Sequence, residues 1–462
     1  MLSLSTLQVA LFIIAYFAVF AFISYRYSSG FDSSKTGFLV ANRNAGLLES
    51  SLASGASWVL GVALFASSAF AMNMGWAGLF WFVVPQALGL FVFAWFSRVC
   101  NERIPNGFTL SGFIDDKYGR STSVIYQFVL SLISLGFIAL TFTGLNKYLT
   151  VMGVENVPLL TGLVVIGTLI YALKGGLKTN LVTGSVQMVI MLAFCLLLLV
   201  AGFANGGMDH LIAGLNGKAG YTSIFDEKLL MTFGIVMALT SITGIVGNQS
   251  YYQKSFGQQN TNNSSMSFVL AGIFFAIVPI TLGIIAMMGF GSGLEIKDPQ
   301  TAHLVWMQSN LGIIALLAFG VIVLNASANA LDASGNAFGA IVANDWIKDE
   351  TKSVFWSRVA IVGLAATGWA ISTLGLNITY IFLTYGVLRV VLFLVTLLAV
   401  RTDLLTMKGL FWSVVLVAPV AFYLNQTGAK LEGTLIGFFV TPLVAIAISK
   451  LFEKKQEQLT VA

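Results

Sequence analysis

Asp332 stands inside an apolar stretch that runs from about Leu311 to Ala343, and Asn325, Ser327, Asn329, Ser334 and Asn336 share that stretch. An ionised carboxylate at bilayer depth costs at least about 2.5–3.5 kcal/mol, so such a residue faces a polar interior and marks an ion or proton path by default. Carboxylate, amide and hydroxyl oxygens are also the donors that hard cations take. The plainer use of such an acid is a hydrogen bond to a neighbouring helix. Gly335 would let another backbone come close.

Two further stretches have the residue types of a ligand site. Glu49 to Trp58 is rich in small and hydroxyl residues, and Thr240 to Gln249 interrupts another apolar run with Thr240, Ser241, Thr243, Gly244, Gly247, Asn248 and Gln249. Small residues serve close helix packing. A whole polar, glycine-containing stretch at membrane depth points instead to unwound backbone lining a cavity, as in the discontinuous helices of transporters. The pocket candidates are Ser57, Trp58 and Phe65, then Gln86, then Ser241, Thr243 and Gly244. Trp58 could stack on a planar amide, although buried aromatics more often only pack.

The elements that must position these residues are membrane spans. The 462-residue chain is 57% hydrophobic and only 9% charged, where a soluble chain needs about a quarter charged residues to cover its surface. A net charge of +5 would suit nucleic acid, but the basic residues are spread over short loops. Cys100 and Cys195 have neither metal nor disulfide spacing. Apolar runs of about 20 residues predict thirteen spans, near 7–27, 46–73, 76–98, 122–148, 157–173, 180–203, 229–250, 263–291, 311–343, 353–372, 376–400, 408–425 and 434–452.

No Lys or Arg precedes the first span and Arg26, Lys35 and Arg43 follow it, so it reads as a retained span rather than a cleaved signal, with the N-terminus outside. Threading from there puts eighteen of the 24 basic residues inside, Lys254, Lys348, Lys352, Lys454 and Lys455 among them. Outside fall five, Lys147, Lys218, Lys228, Lys297 and Lys430, and Arg389 falls within a span. Basic loops stay cytoplasmic, so this asymmetry supports the span count and a cytoplasmic C-terminus in the cell membrane.

The polar interruptions lie in spans 2 and 7. Spans 2–6 (46–203) and 7–11 (229–400) would then be two inverted repeats whose breaks meet near the midplane, with spans 1, 12 and 13 peripheral. The expected fold is a single all-α membrane domain, with Asp332 close to the span 2 break.

The chain resembles the sodium:solute symporters, which include sodium/glucose, sodium/proline and sialic-acid carriers. The likeness is carried in order by Phe38 to Arg43, Gly61 and Gly75, Thr109 to Phe113 with Tyr118 and Gly119, and Gly175-Gly176-Leu177 with Thr183 and Gln187. Asn248 to Lys254 and Asn344 to Lys348 complete it. Ala41-Asn42-Arg43, Ser57-Trp58, Ala63-Leu64-Phe65, Gly78 to Phe82, Pro85 and Pro105-Asn106-Gly107 most resemble the urea-type members.

The resemblance implies a five-plus-five inverted repeat of the amino-acid/sodium symporter type. It also implies a sodium site made by two carbonyls of span 2, at Ser51 and Ser54, a carbonyl at Ala326, and a hydroxyl pair of span 9 that falls on Asn329 and Ala330. Ala330 has no side-chain oxygen, so the usual site is weakened or rearranged. Some members carry a second cation site with an aspartate on span 6; here that position is Gly184, and Asp332 falls on one of the span 9 positions of the same site. Asp332 then either ligates sodium with Asn329 and Ser185 or carries a proton. The family also places a bulky gate where this chain has Gly244.

The function expected is secondary active import of a small polar solute, urea or a similar amide, coupled to sodium, with a proton as the alternative. No Walker-type loop points to ATP. A channel and a transporter-like sensor are the competing readings, and the short tail from Glu453 to Ala462 speaks against a sensor output domain. An enzyme is not expected, since His210 and His303 fall in outside loops and no paired acids emerge.

Overall fold

In the computed structural model, residues 5–27, 34–258, 260–347 and 349–461 are described, with side chains to Phe452. Lys348, and the side chains of Lys454 and Lys455, lie outside the described residues. Among the described residues every regular element is a helix, apart from one isolated bridge between Asn44 and Gln258. Ten helices are long and apolar enough to cross a membrane, so the chain is a multi-pass membrane protein.

In chain order the helices used below are α1 (Thr6–Tyr27), α2 (Leu47–Trp58), α3 (Val62–Arg103), α4 (Arg120–Val151), α5 (Val157–Ala204), α6 (Ile235–Ile242) and α7 (Gln249–Phe256). They continue as α8 (Thr261–Gly291), α9 (Ile313–Trp346), α10 (Glu350–Ser372), α11 (Ile378–Arg401), α12 (Met407–Gln426) and α13 (Lys430–Phe452). At 42 and 48 residues, α3 and α5 are about twice the length of one span. Each leaves helical geometry once, at Gly75 (φ 63°) and Gly176 (φ 55°). Both residues are glycine for a physical reason. The left-handed φ disfavours a side chain, and a Cβ would run into the Leu215 carbonyl at Gly75 or the Phe38 carbonyl at Gly176.

The polar start of span 2 stays helical, contrary to a reading in which Glu49 to Trp58 itself unwinds. Ser51 and Ser57 donate back to the Leu47 and Ala53 carbonyls, so their hydroxyls are satisfied within the helix. The break comes just after, at Val59 and Leu60, before a π turn over Val62–Ala66. Gly61 sits against α4, where a Cβ would lie 2.5 Å from the Leu140 carbonyl. Its freed N–H donates to Thr141 Oγ1 at 3.2 Å, as backbone at this depth requires.

The second interruption lies where the residue pattern predicts it. α6 ends at Ile242, Thr243–Gly247 form a turn, and the Asn248 side chain caps α7 by accepting from the Ser250 N–H. α2 packs against α8 and α5, and α9 against α5 and α4. Every residue from 322 to 337 is buried, so the polar face of α9 looks into protein and not lipid.

Two basic or titratable residues sit elsewhere than the span count places them. Lys254 is expected in an inside loop and His303 in an outside loop, yet both are 0% exposed. α7 is sequestered against α2 and α9, and His303 lies on the short helix Ala302–Asn310 against the Phe65 ring. The loops that remain outside the helix bundle offer a test of sidedness. Cysteine at the exposed Lys218 is expected to react with an impermeant maleimide from outside, and cysteine at Lys352 only from inside. Opposite labelling at either site would remove the thirteen-span threading.

Candidate transport site

The site is assembled around the two breaks. Lys254 Nζ, on α7, reaches α2 and donates to the Ala53 carbonyl (3.1 Å) and Ser57 Oγ (2.5 Å). The Ser57 hydroxyl faces the Asn329 Oδ1 of α9 at 2.6 Å. Asn329 Nδ2 donates to Gln187 Oε1 (2.9 Å), and Gln187 Nε2 to the Tyr171 hydroxyl (3.4 Å). A continuous polar belt thus links α7, α2, α9 and α5.

Asp332 is 0% exposed and lies one turn farther along α9. Its Oδ1 accepts from Asn336 Nδ2 (2.8 Å), and its Oδ2 from Asn180 Nδ2 (3.1 Å) and Thr183 Oγ1 (3.5 Å). The amide oxygens of Asn180 and Asn336 are buried with no hydrogen-bond partner. Buried polar atoms are normally satisfied, yet both amides give their N–H groups to the carboxylate and leave their oxygens free.

The donors expected around Asp332 are therefore distributed differently. Asn329 turns to Ser57 and Gln187, while Ser185 donates to the Glu49 and Leu181 carbonyls. The space left by Gly184 is taken up: a Cβ there would lie 2.6 Å from Asn329 Nδ2. The common sodium position is altered as well. The Ser54 carbonyl accepts from the Tyr251 hydroxyl (3.2 Å), and the Lys254 ammonium is seated on the neighbouring Ala53 carbonyl. Ala326 is buried on α9 one turn before Asn329. The Lys254 ammonium thus places a positive charge beside the expected sodium position.

Among the pocket candidates, Trp58, Ser241 and Gly244 come together. A Cβ on Gly244 would lie 2.8 Å from both Trp58 Cη2 and Arg389 Nη1. The bulky residue at this crossing is thus Arg389, delivered from α11, and the glycine makes room for it. Trp58 packs edge-on against Phe137 and Tyr251, each 5.7 Å away. Gln86 donates to the Phe82 carbonyl and Thr243 to the Leu239 carbonyl, so both hydroxyl and amide donors are spent within their own helices. Phe65 lies apart, against His303 and Phe319.

Both ends of the bundle are closed over this site. At one end Asp345 accepts from Thr109, Ser111 and Asn344, Gln249 accepts from the Leu110 N–H, and Arg43 donates to the Phe256 and Gly107 carbonyls. Several of the family-like sequence motifs meet here. At the other end Lys147 pairs with Asp298 (2.6 Å) and Ser68 donates to the Pro299 carbonyl.

Lys254 and Arg389 were not among the expected site residues. Arg389 carries the same signal as Asp332, an ionisable residue deep in an apolar run. Lys254 carries a weaker one, because ten residues after a helix break looks like a loop.

No family model matches the chain. It is 21% identical over 272 residues to the "Probable urea active transporter 1" of Schizosaccharomyces pombe (strain 972 / ATCC 24843), covering 54% of this chain and 40% of that protein. It is 22% identical over 325 residues to the "Urea-proton symporter DUR3" of Oryza sativa subsp. japonica, covering 62% and 44%. The chain thus spans less than half the length of these relatives. A sodium-coupled sialic acid symporter, solved in a substrate-bound outward-open state, superposes with a TM-score of 0.78 at 12% identity, over 95% of this chain and 97% of that one. Mhp1, a nucleobase-cation-symport-1 family transporter solved closed with bromovinylhydantoin bound, gives 0.59 at 14% identity, over 90% and 94%. These relatives are transporters, not enzymes. Broken helices and superposition agree: the chain has the fold of the sodium-coupled sialic acid symporter.

Proposed function

We propose that the chain is a secondary active transporter that moves a small polar solute by alternating access, driven by a cation gradient. The observation that supports this best is the convergence of the two helix breaks, at Val59–Leu60 and Thr243–Gly247, with Trp58 and Arg389 meeting over Gly244 between two closed ends. Irregular backbone at membrane depth is tolerated where it serves such a site. In this reading Gly75 and Gly176 each separate two spans, giving thirteen, and 46–203 and 229–400 are inverted repeats with the N-terminus outside.

The coupling cation in this reading is sodium, held by Asp332, and Asn180 and Asn336 would turn their amide oxygens to it in place of the N–H groups they now give the carboxylate. The cation supplies the charge that makes the two access states differ in affinity, as coupling requires. A proton is the second reading, supported by the Lys254 ammonium in the common cation position and by a relative described as a urea-proton symporter. Urea and small amides, the solutes expected from the sequence, are to be tested beside small carboxylates.

Proteoliposome uptake of ureas, amides, amino acids, sugars and carboxylates, under imposed sodium or proton gradients, tests the proposal. Accumulation of one solute class above equilibrium, lost when the gradient is dissipated, is expected. Cation flux with no fixed link to solute would identify a channel instead.

A further inference from the structure

We infer that the transported solute carries a carboxylate and that Arg389, on α11, binds it. The inference rests on the transport reading above and narrows its solute to small organic anions.

Arg389 is 0% exposed, yet Nε, Nη1 and Nη2 all lack a hydrogen-bond partner. Among the described residues no carboxylate pairs with it. Its contacts are the faces of Phe382 and Tyr385, 4.9 and 4.8 Å from the guanidinium carbon. Two aromatic faces attract a cation but satisfy none of its five N–H donors. An isolated buried charge is among the most unfavourable arrangements in a protein interior, so the guanidinium is held for a partner that arrives.

The surroundings identify that partner. Three more buried polar atoms without partners cluster at this crossing: Trp58 Nε1, Ser241 Oγ and the Tyr385 hydroxyl. Phe137 lies between two of them, 5.7 Å from the Trp58 ring and 5.5 Å from the Tyr385 ring. Gly244 lets Arg389 and Trp58 approach this crossing, because a Cβ would press on both Nη1 and the Trp58 ring at 2.8 Å. The unpartnered guanidinium thus stands beside Trp58 and Tyr385 at the second break.

Charge decides between a neutral amide and an anion. The buried cations of the bundle are Lys254 and Arg389, and the buried anion within the span region is Asp332. Lys254 bonds Ser57, which meets Asn329 one turn from Asp332, but Arg389 is left without a counter-charge. An amide such as urea could accept hydrogen bonds from the guanidinium without neutralising it. A carboxylate does both, through the two parallel N–H donors that make arginine its preferred partner.

The test is binding to the full-length purified chain, measured by thermal stabilisation and calorimetry. The probes are acetate, lactate, pyruvate and benzoate against acetamide, lactamide, pyruvamide and benzamide, with urea as the neutral reference. At least one carboxylate is expected to bind, its amide partner to bind at least about tenfold more weakly, and Arg389→Lys to lose about as much, because lysine lacks the fork. The wild-type comparison of acid with amide needs no variant, so an unstable Arg389→Lys leaves the test intact. Preference for an amide or urea, binding of none of the carboxylates, or full carboxylate affinity in Arg389→Lys would overturn the inference. Arg389-dependent binding without gradient-driven uptake would instead overturn the transport reading. Gradient-driven uptake indifferent to solute charge and to Arg389 would retain transport and overturn the carboxylate.

Discussion

Asp332→Asn is expected to reduce solute accumulation in proteoliposomes to the equilibrium level, while exchange of solute across the membrane survives at a reduced rate. The substitution keeps the size and one of the two acceptor oxygens but removes the charge around which Asn180, Asn336 and Thr183 gather. Accumulation requires the cation to favour one access state over the other, and without the carboxylate the two orphaned amide oxygens are too weak a site. Membrane abundance is expected to stay near normal, because an amide is easier to bury than a carboxylate. Normal accumulation with unchanged cation dependence in Asp332→Asn would reduce the residue to a helix-packing role.

Lys254→Gln is expected to cut uptake to about a tenth or less, the loss that follows from charge-assisted bonds worth roughly 1.5–3 kcal/mol. The ammonium bonds the Ala53 carbonyl and Ser57 Oγ of α2, one turn ahead of the first break, from a helix that begins just after the second. It therefore ties the two discontinuous helices together at the point where an alternating-access cycle must release them. Glutamine is shorter and neutral, and reaches one of these acceptors at most. Initial rates of uptake, normalised to transporter in the membrane, give the measurement. Wild-type rates in Lys254→Gln would mean that the ammonium merely fills the space between α7 and α2.

Much of the architecture was legible from residue order. Apolar runs locate spans because the bilayer requires them at a fixed length, whatever the fold. Asp332 announced itself because a carboxylate at that depth is costly in any arrangement. The helix break after Ile242 was also readable, since Thr243-Gly244 and Gly247-Asn248 combine poor helix formers with a capping residue. The break of span 2 was displaced by a few residues. Serines that look like helix breakers can bond back to their own helix, and the place where α2 stops is set by Gly61 meeting Leu140 and Thr141 of a different helix.

The sequence by itself determined the membrane class, most of the spans, the two polar interruptions and the cost of the charge at Asp332, because hydropathy and local backbone preference depend on near neighbours along the chain. Which oxygens surround Asp332 was decided only in the tertiary structure. Asn180 and Thr183 come from α5, 152 and 149 residues away, and Asn329, one turn from Asp332, turns to Ser57 instead. The seating of Lys254 on α2 and the delivery of Arg389 to Gly244 are likewise products of packing. Hydrogen bonds and charge pairs fall off over a few ångströms, so their partners are chosen by which helices come into contact, and spacing along the chain carries no record of that.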